Sequence, residues 1–245
     1  MIRAVAAFAL AATLGMAQKV KSPKEAEALQ AIQSATTADA RIAAVDSLIT
    51  KFADTEFKAW ALTLAADAAQ RKGDSVKTVV YAQSALEADP KNYQAMLMIS
   101  GELARTTREN DLDKEEKLAR SEKLVNEAIA AINTAAKPNP QIPDEQWASI
   151  KKDLIAQAHE NLGLAALARK KNDVAITEFK TAVEGAASPD PATMVRLASA
   201  YDQAGKYDEG LAVLAKVLAM PEVNPQVKQY AQAEKIRAEQ GKAKK

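Results

Sequence analysis

The chain of 245 residues contains no cysteine, a single histidine and few aromatic residues, which make up 4% of it. Without cysteine there can be no disulfide, no thiolate metal site, no cysteine nucleophile and no lipid-modified cysteine. The chain also has almost no excess of one charge, since it contains 33 basic and 32 acidic residues. The net charge of +1 therefore provides no field that would attract nucleic acid or an anionic membrane.

Alanine is abundant, at 54 of the 245 residues, whereas there are only eight glycines. Alanine is the best helix former, while strands favour the β-branched and aromatic residues. Hydrophobic residues make up 48% of the chain, enough to bury a sizeable core, which excludes wholesale disorder. The composition therefore favours helices and argues against a β-sandwich or barrel.

The N-terminal segment has the three regions of a secretory signal. Arg3 supplies a positive start, residues 4–14 are apolar, and the small residues Gly15 and Ala17 suit a signal peptidase. The apolar run is too short for a transmembrane helix, which needs ~20 residues. We predict a signal peptide over 1–17, cleaved after Ala17, and an exported chain that is soluble in the periplasm or outside the cell. The alternative is an uncleaved apolar N-terminus.

Three short polar segments separate alanine-rich stretches whose apolar residues recur at helical spacing. They are centred on Gly73, Asn172 and Gly205. Glycine or asparagine can end a helix in the left-handed conformation, and a following Asp or Asn can accept the first free amides of the next helix. Each segment therefore predicts an antiparallel pair of helices.

The helix pairs repeat along the chain. One unit reads His159-x2-Leu162-Gly163-x2-Ala166, followed by Ala175-x3-Phe179 and Ala182. The leading position recurs at Leu62, Met96, His159 and Met194, at intervals of 34, 63 and 35 residues. This pattern resembles the tetratricopeptide repeat family, whose unit of ~34 residues carries W-x2-L-G-x2-Y and then A-x3-F. The signature tryptophan is replaced in all four units.

The resemblance implies an all-α, tetratricopeptide-like α-solenoid of antiparallel helix hairpins with a C-terminal capping helix. It implies a single domain over 18–240, followed by a disordered basic tail over 241–245. In the capping helix we expect Val227, Tyr230, Ala231 and Ile236 to face inward. The units are expected near 24–54, 59–92, 93–137 with an insertion to 155, 156–190 and 191–223, with the cap over 224–240.

The insertion itself contains a charged stretch and a proline-rich connector. We expect a helix from about Leu112 that ends near Ala136, then the connector over 137–143. Asp144 is expected to cap a long helix that runs to about Arg169.

No residue pattern indicates catalysis, a cofactor or a metal. His159-Glu160 resembles the start of H-E-x-x-H, but Gly163 stands where the second histidine is needed. The run from Asp111 to Glu122 has the acidic spacing of a calcium loop, but Glu116 replaces its turn glycine. Both are interpreted as structural, and we predict that the protein is not an enzyme.

In tetratricopeptide repeat proteins the first helix of each unit lines a concave groove that holds a peptide. The resemblance therefore implies an exported, non-catalytic scaffold that binds a protein or peptide partner; the alternative is a self-assembling structural oligomer of the cell envelope. A plain solvated surface is the competing interpretation of the groove. The residues placed in the groove are Trp60, Thr63, Asp67, Arg71, Gln94, Leu97, Gly101, Arg105, Gln157, Glu160, Leu164, Ala192, Val195, Ser199 and Asp202.

Overall fold

The computed structural model describes residues 19–244, so the predicted signal peptide lies outside the described residues. Within 19–244 the protein consists of eleven α-helices and contains no strand, which confirms the all-α fold class. The helices are α1 (Pro23–Ser34), α2 (Ala38–Lys51), α3 (Lys58–Arg71), α4 (Ser75–Ala88), α5 (Tyr93–Thr106), α6 (Lys114–Thr134), α7 (Asp144–Ala168), α8 (Asn172–Gly185), α9 (Pro191–Gln203), α10 (Tyr207–Ala219) and α11 (Pro225–Ala243).

Successive helices pack as hairpins. The first helices of the five pairs are α1, α3, α5, α7 and α9, and each packs on the helix that follows it. The first helices also touch along the row, because α3 contacts α5, α5 contacts α7, and α9 contacts the terminal helix α11. The result is a stack of helix pairs in which each unit is packed against its neighbours, as expected for a repeat solenoid.

The turns within three hairpins share one conformation. Gly73 and Gly205 have φ of +74° and +69°, and Lys170 takes φ of +58° at the equivalent place. The amide that follows Lys170 donates back to the carbonyl of Ala166, and the other two turns repeat this bond. The prediction that Asn172 provides the left-handed residue was wrong: α8 already begins at Asn172, and the tight turn falls two residues earlier.

Helix starts follow the expected capping chemistry in part. Asp74 accepts from the amide of Lys77 at 3.0 Å, as predicted for the turn before α4. Asp144 does not cap α7, because Pro143 holds the capping position and Asp144 is the first helical residue, paired with Lys137 at 2.6 Å. An acidic side chain in the first turn still complements the helix dipole.

The insertion lengthens one region of the stack instead of adding a separate unit. Helices α6 and α7 have 21 and 25 residues, whereas α1 to α5 have 12 to 14. The first three turns of α7 belong to the insertion, and the rest of the same helix is the first helix of the next hairpin. Trp147 anchors this extension, since it is 7% exposed and lies under the ammonium of Lys151, 5.5 Å from the ring centroid.

The last helix differs from the prediction at its end and in its orientation. It continues to Ala243, so residues 241–243 are helical: Gly241 lies against the Tyr207 ring, and Lys242 pairs with Asp208. Its inward positions also differ, because Ala231 is buried whereas Tyr230 and Ile236 are exposed. The expectation that these two side chains face inward was wrong.

Candidate partner-binding face

The predicted groove residues all lie on first helices. Each of α3, α5, α7 and α9 carries a set of them at matching positions of the repeat. We number these positions so that Leu62, Met96, His159 and Met194 are position 4 of their units. The predicted groove then consists of positions 2, 5 and 9, with further residues near the end of the helix. Exposure differs sharply between these positions.

Position 5 does not belong to an open surface. Thr63 and Leu97 are 2% exposed and Glu160 is 6% exposed, while only Val195 in the fourth unit is half-buried. The prediction that these three buried side chains line a groove was wrong. They face the neighbouring helices of the stack, which removes them from contact with a partner.

The buried position-5 residues join one unit to the next. Asn92 Nδ2 donates to the Thr63 hydroxyl at 2.8 Å, which joins the start of α5 to α3. Arg196 Nη1 donates to Glu160 Oε1 at 2.8 Å, which joins α9 to α7. Such buried polar groups require a partner, so these bonds also restrict how the units can stack.

Asn161 forms the most buried of these connections. It is 4% exposed, and its Nδ2 donates to the Leu97 carbonyl at 2.9 Å and to the Ser100 hydroxyl at 2.8 Å. Ser121 donates to the Ser100 carbonyl at 2.9 Å, which brings α6 into the same network. Asn161 also lies against Gly101, where an added Cβ would be 3.0 Å from its Oδ1.

The role of Asn92, Asn161 and Arg196 in joining the units was not predicted from the sequence. Nothing in their local pattern distinguishes them from solvated helix residues, because their partners lie about 30 to 60 residues away in the chain. A buried amide in an alanine-rich helix can be recognised only when the repeats are stacked.

Positions 2 and 9 are accessible in each of the four numbered units. All eight of their residues are half-buried, so part of each side chain or backbone faces solvent. Apolar and polar groups alternate among them, with no cluster of one charge. The eight residues are Trp60, Gln94, Gln157 and Ala192 at position 2, and Asp67, Gly101, Leu164 and Ser199 at position 9.

The accessible residues are held in place by their own helices and by the core. Trp60 packs edge-on against Phe57, with ring centroids 6.4 Å apart and an interplanar angle of 76°. Asp67 forms an ion pair with Arg71 at 2.9 Å, one turn further along α3. Leu164 and Val195 pack against the buried core while remaining partly exposed.

Three predicted residues lie near the ends of first helices. Arg71 and Arg105 are exposed, and Arg105 pairs with the buried carboxylate of Glu102 while its Nη2 donates to the Ser75 hydroxyl at 3.0 Å. Asp202 is half-buried, and this burial raises its pKa while the nearby Arg237 lowers it.

The lone histidine joins two helices of one hairpin. His159 Nδ1 lies 2.7 Å from Glu178 Oε2, which connects α7 to α8, and both side chains are about three-quarters buried. A histidine–carboxylate pair alone has no nucleophile or third group to act on a substrate. The contact therefore explains His159 as a packing residue of the repeat.

The acidic side chains around the start of α6 form ion pairs with basic residues. Lys117 pairs with Asp111 and Asp113 at 3.3 and 2.9 Å, and Arg169 pairs with Glu115 and Glu122 at 2.8 and 2.5 Å. The four carboxylates are thus held as two pairs, each neutralised by its own basic side chain. Among residues 19–244 no group of three or more histidine, aspartate or glutamate side chains is arranged to hold a metal ion.

A shallow cleft of about 710 Å³ opens at one end of the second hairpin, between α2, α3 and the end of α4. Its lining includes the apolar side chains of Ile49, Ala59 and Leu62 and the exposed carboxylates of Glu56 and Glu87. Thr55 is its one buried polar lining residue, and the Thr55 hydroxyl already donates to Glu25, so the cleft contains no convergent set of buried polar groups of the kind that a small-molecule site requires.

Comparison with known proteins gives a match in structure but not in sequence. No protein-family model matches the chain, and no curated protein matches its sequence. The chain is similar in structure to TTC0263, a thermophilic TPR protein of Thermus thermophilus, with a TM-score of 0.59 over 86% of this chain and 99% of that one, at 17% identity. The chain has a tetratricopeptide repeat fold.

Two further solved structures resemble this TPR fold more weakly. A tetratricopeptide repeat protein from Parabacteroides merdae aligns over 89% of each chain with a TM-score of 0.40 and 15% identity. The assembly chaperone of RpL4 (Acl4) aligns over 91% of this chain and 99% of that one, with a TM-score of 0.48 and 12% identity. Within residues 19–244 no helix of the TPR stack is long and apolar enough to cross a membrane.

Proposed function

We propose that the protein is an exported, non-catalytic scaffold that binds a protein or peptide partner on the row of first helices. The observation that carries this proposal is the exposure pattern of the repeat. Positions 2 and 9 are accessible in all four units, while position 5 is buried between helices in three of them. A regular row of partly exposed side chains on a rigid frame is suited to an extended or helical peptide.

The chemistry of the row favours a partner with mixed character. Trp60, Leu164 and Val195 offer apolar area, and an aromatic anchor of this kind often dominates binding energy. The side-chain amides of Gln94 and Gln157, on the same row, offer hydrogen-bond donors and acceptors. The row lacks the repeated lysine and asparagine residues that would clamp a free carboxylate, so an internal segment of the partner fits better than its C-terminus.

The experiment is crosslinking in cells followed by purification of the tagged protein and mass spectrometry. A Gln94→Arg, Gln157→Arg double variant places two charges on the row without touching the core, and Gln232→Arg on the exposed face of α11 is the matched control. We expect a stoichiometric partner with the wild type and the control, and its loss with the double variant. A partner retained by the double variant would refute this face as the binding site.

Export is the part of the proposal that depends on the leader segment. If residues 1–17 act as a cleaved signal, the intact mass of protein recovered from outside the cytoplasm corresponds to a chain that begins at Gln18. Recovery of the full-length chain in the cytoplasm would contradict this part while leaving the binding face unaffected.

The C-terminal end of the stack is polar. This favours a scaffold over an oligomer in which copies stack through that end. In the four numbered units, the residues at positions 4, 7, 8 and 11 are all buried or half-buried. In α11 the equivalent residues 228, 232 and 235 are exposed lysine, glutamine and lysine, and only Ala231 is buried. A polar face of this kind is typical of the capping element that closes a repeat array.

A further inference from the structure

The same three-residue arrangement occurs at two junctions between first helices, with one change. Between α3 and α5, Gln70 Nε2 donates to Glu102 Oε1 at 3.3 Å, and Arg105 pairs with the other oxygen of Glu102. Glu234 and Arg237 follow Asp202 by 32 and 35 residues, the same separations as those from Gln70 to Glu102 and to Arg105.

At the junction of α9 and α11, Arg237 Nη1 pairs with Glu234 Oε2 at 2.7 Å, as Arg105 does with Glu102. Asp202 stands where the first junction has the donating amide of Gln70. A carboxylate in that place accepts hydrogen bonds but donates none.

Two oxygen atoms at this second junction are buried without a hydrogen-bond partner. They are Asp202 Oδ1 and Glu234 Oε1, and the side chain of Glu234 is only 9% exposed. Buried acceptors that lack a donor are rare in folded proteins. One proton placed between two carboxyl groups satisfies both, because the protonated group donates to the ionised one.

The surroundings of Asp202 favour the protonated form. Burial raises the pKa of Asp202, and Arg237 of α11 opposes that effect. Arg237 is itself engaged with Glu234, so a single guanidinium faces two carboxyl groups. From α8 the approaching group is the uncharged amide of Asn172, which donates to the Gln203 carbonyl at 3.1 Å and whose own Oδ1 is a third buried acceptor without a partner. The ammonium of Lys206 before α10 is paired with Asp173.

We propose that Asp202 holds a proton in the folded protein and donates it to Glu234, so that the docking of the capping helix α11 on α9 depends on pH. In the protonated state the junction repeats the Gln70–Glu102 bond. When Asp202 loses its proton to solvent, two carboxylates face one arginine and the donated bond is lost. The contact of the cap with α9 is then weakened, while its contacts with Tyr207 and Asp208 of α10 remain.

The direction of the pH effect follows from linkage. A folded state that binds more protons than the unfolded state is stabilised at low pH, and this stabilisation is lost as pH rises through the raised pKa of Asp202. Because one proton is involved, the docking equilibrium changes by at most about tenfold per pH unit.

The test uses the full chain with two isosteric variants. Asp202→Asn supplies a permanent donor to Glu234, and Gln70→Glu installs the acid pair at the first junction. Amide hydrogen exchange of α11, corrected for the intrinsic pH dependence and compared with α1, is followed from about pH 4 to 8, a range that spans a raised carboxyl pKa. We expect α11 protection to fall with pH in the wild type, to stay constant in Asp202→Asn, and a new pH dependence to appear in α5 of Gln70→Glu.

Carboxyl carbon NMR of wild-type Asp202 gives a readout that needs no variant. A titration midpoint above the ordinary value of about 3.9 supports the proposal, and a midpoint at or below it overturns the proposal. A pH dependence of α11 protection that is the same in Asp202→Asn as in the wild type also overturns it.

Discussion

The ring of Phe179 lies directly on the backbone of Gly163, so close that a Cβ added to Gly163 would be 2.7 Å from two ring carbons. Phe179 is completely buried, and this contact joins the two helices α7 and α8 of one hairpin. The pair corresponds to the glycine and phenylalanine positions of the tetratricopeptide pattern. It shows why the fold needs a small residue opposite a large one within a unit.

Truncation of this ring is expected to destabilise the protein strongly. Phe179→Ala should lower the free energy of unfolding by about 3–5 kcal/mol, because a fully buried ring leaves a cavity between the helices. Gly163→Ala should also destabilise, although alanine favours helix, because its methyl group collides with the ring. Denaturant melts measure both, and the double variant should lose less than the sum of the two. Additive losses would contradict the contact.

The side-chain amide of Asn161 is expected to contribute more to the stability of the fold than the amide of an exposed asparagine. Asn161→Ala removes the bonds to the Leu97 carbonyl and the Ser100 hydroxyl, and should cost about 1–3 kcal/mol because buried acceptors lose their donor. The control is Asn126→Ala on the exposed face of α6, which should change stability by less than about 0.5 kcal/mol. Equal effects in thermal melts would show that α5 and α7 do not depend on this network.

Acid is expected to loosen the start of α6. A hydrogen bond from the Arg108 amide lowers the pKa of Asp111, and a hydrogen bond from Arg169 lowers the pKa of Glu115. Groups with lowered pKa values stabilise the fold above the ordinary carboxyl range of about 3.9–4.3, and that stabilisation is lost as pH falls below it. Hydrogen exchange of α6 between about pH 5 and 3 measures the loss.

The matched variant for this acid effect is Arg169→Gln, which removes the partner of Glu115 and Glu122. It should reduce the acid dependence of α6, whereas Lys123→Gln, which affects only an exposed pair at 3.9 Å, should leave it unchanged. An acid response that Arg169→Gln does not alter would contradict the assignment.

Tyr81 is expected to ionise later than an ordinary tyrosine. Burial and its hydrogen bonds to the Asp46 carboxylate, at 2.9 and 3.1 Å, raise the pKa of Tyr81 to about 12. Its contribution to stability is therefore present below the ordinary value of about 10 and is lost as pH rises through the raised value. Ultraviolet titration of tyrosinate should show a late component that Asp46→Asn shifts to lower pH. A late component that Asp46→Asn leaves unchanged would contradict this assignment.

The hairpins and their internal packing could be predicted because they depend on local patterns. The pairing of Gly163 with Phe179 follows from spacing within one unit, and the turns at Gly73 and Gly205 follow from glycine chemistry. The third turn could not be placed correctly, because Lys170 takes the left-handed conformation without a residue type that favours it. Tertiary packing overrides that local preference at a cost.

The candidate binding face could be predicted only in part. The resemblance placed the residues on the correct helices, and positions 2 and 9 are accessible. Position 5 could not be judged, because Thr63 and Glu160 are covered by side chains from the next unit, Asn92 and Arg196. Exposure at these sites depends on how closely neighbouring first helices approach, which no single unit encodes.

The helical fold class, the hairpins and the repeat period can be read from local sequence, because helix propensity, turn chemistry and apolar spacing act over a few residues. Which residues of each first helix remain accessible to a partner, and which join the units, depends on the stacking of the repeats. The reason is that burial depends on groups far apart in the chain: Asn161 bonds to Leu97 across 64 residues, and Asp202 meets the last helix only because the units stack in register.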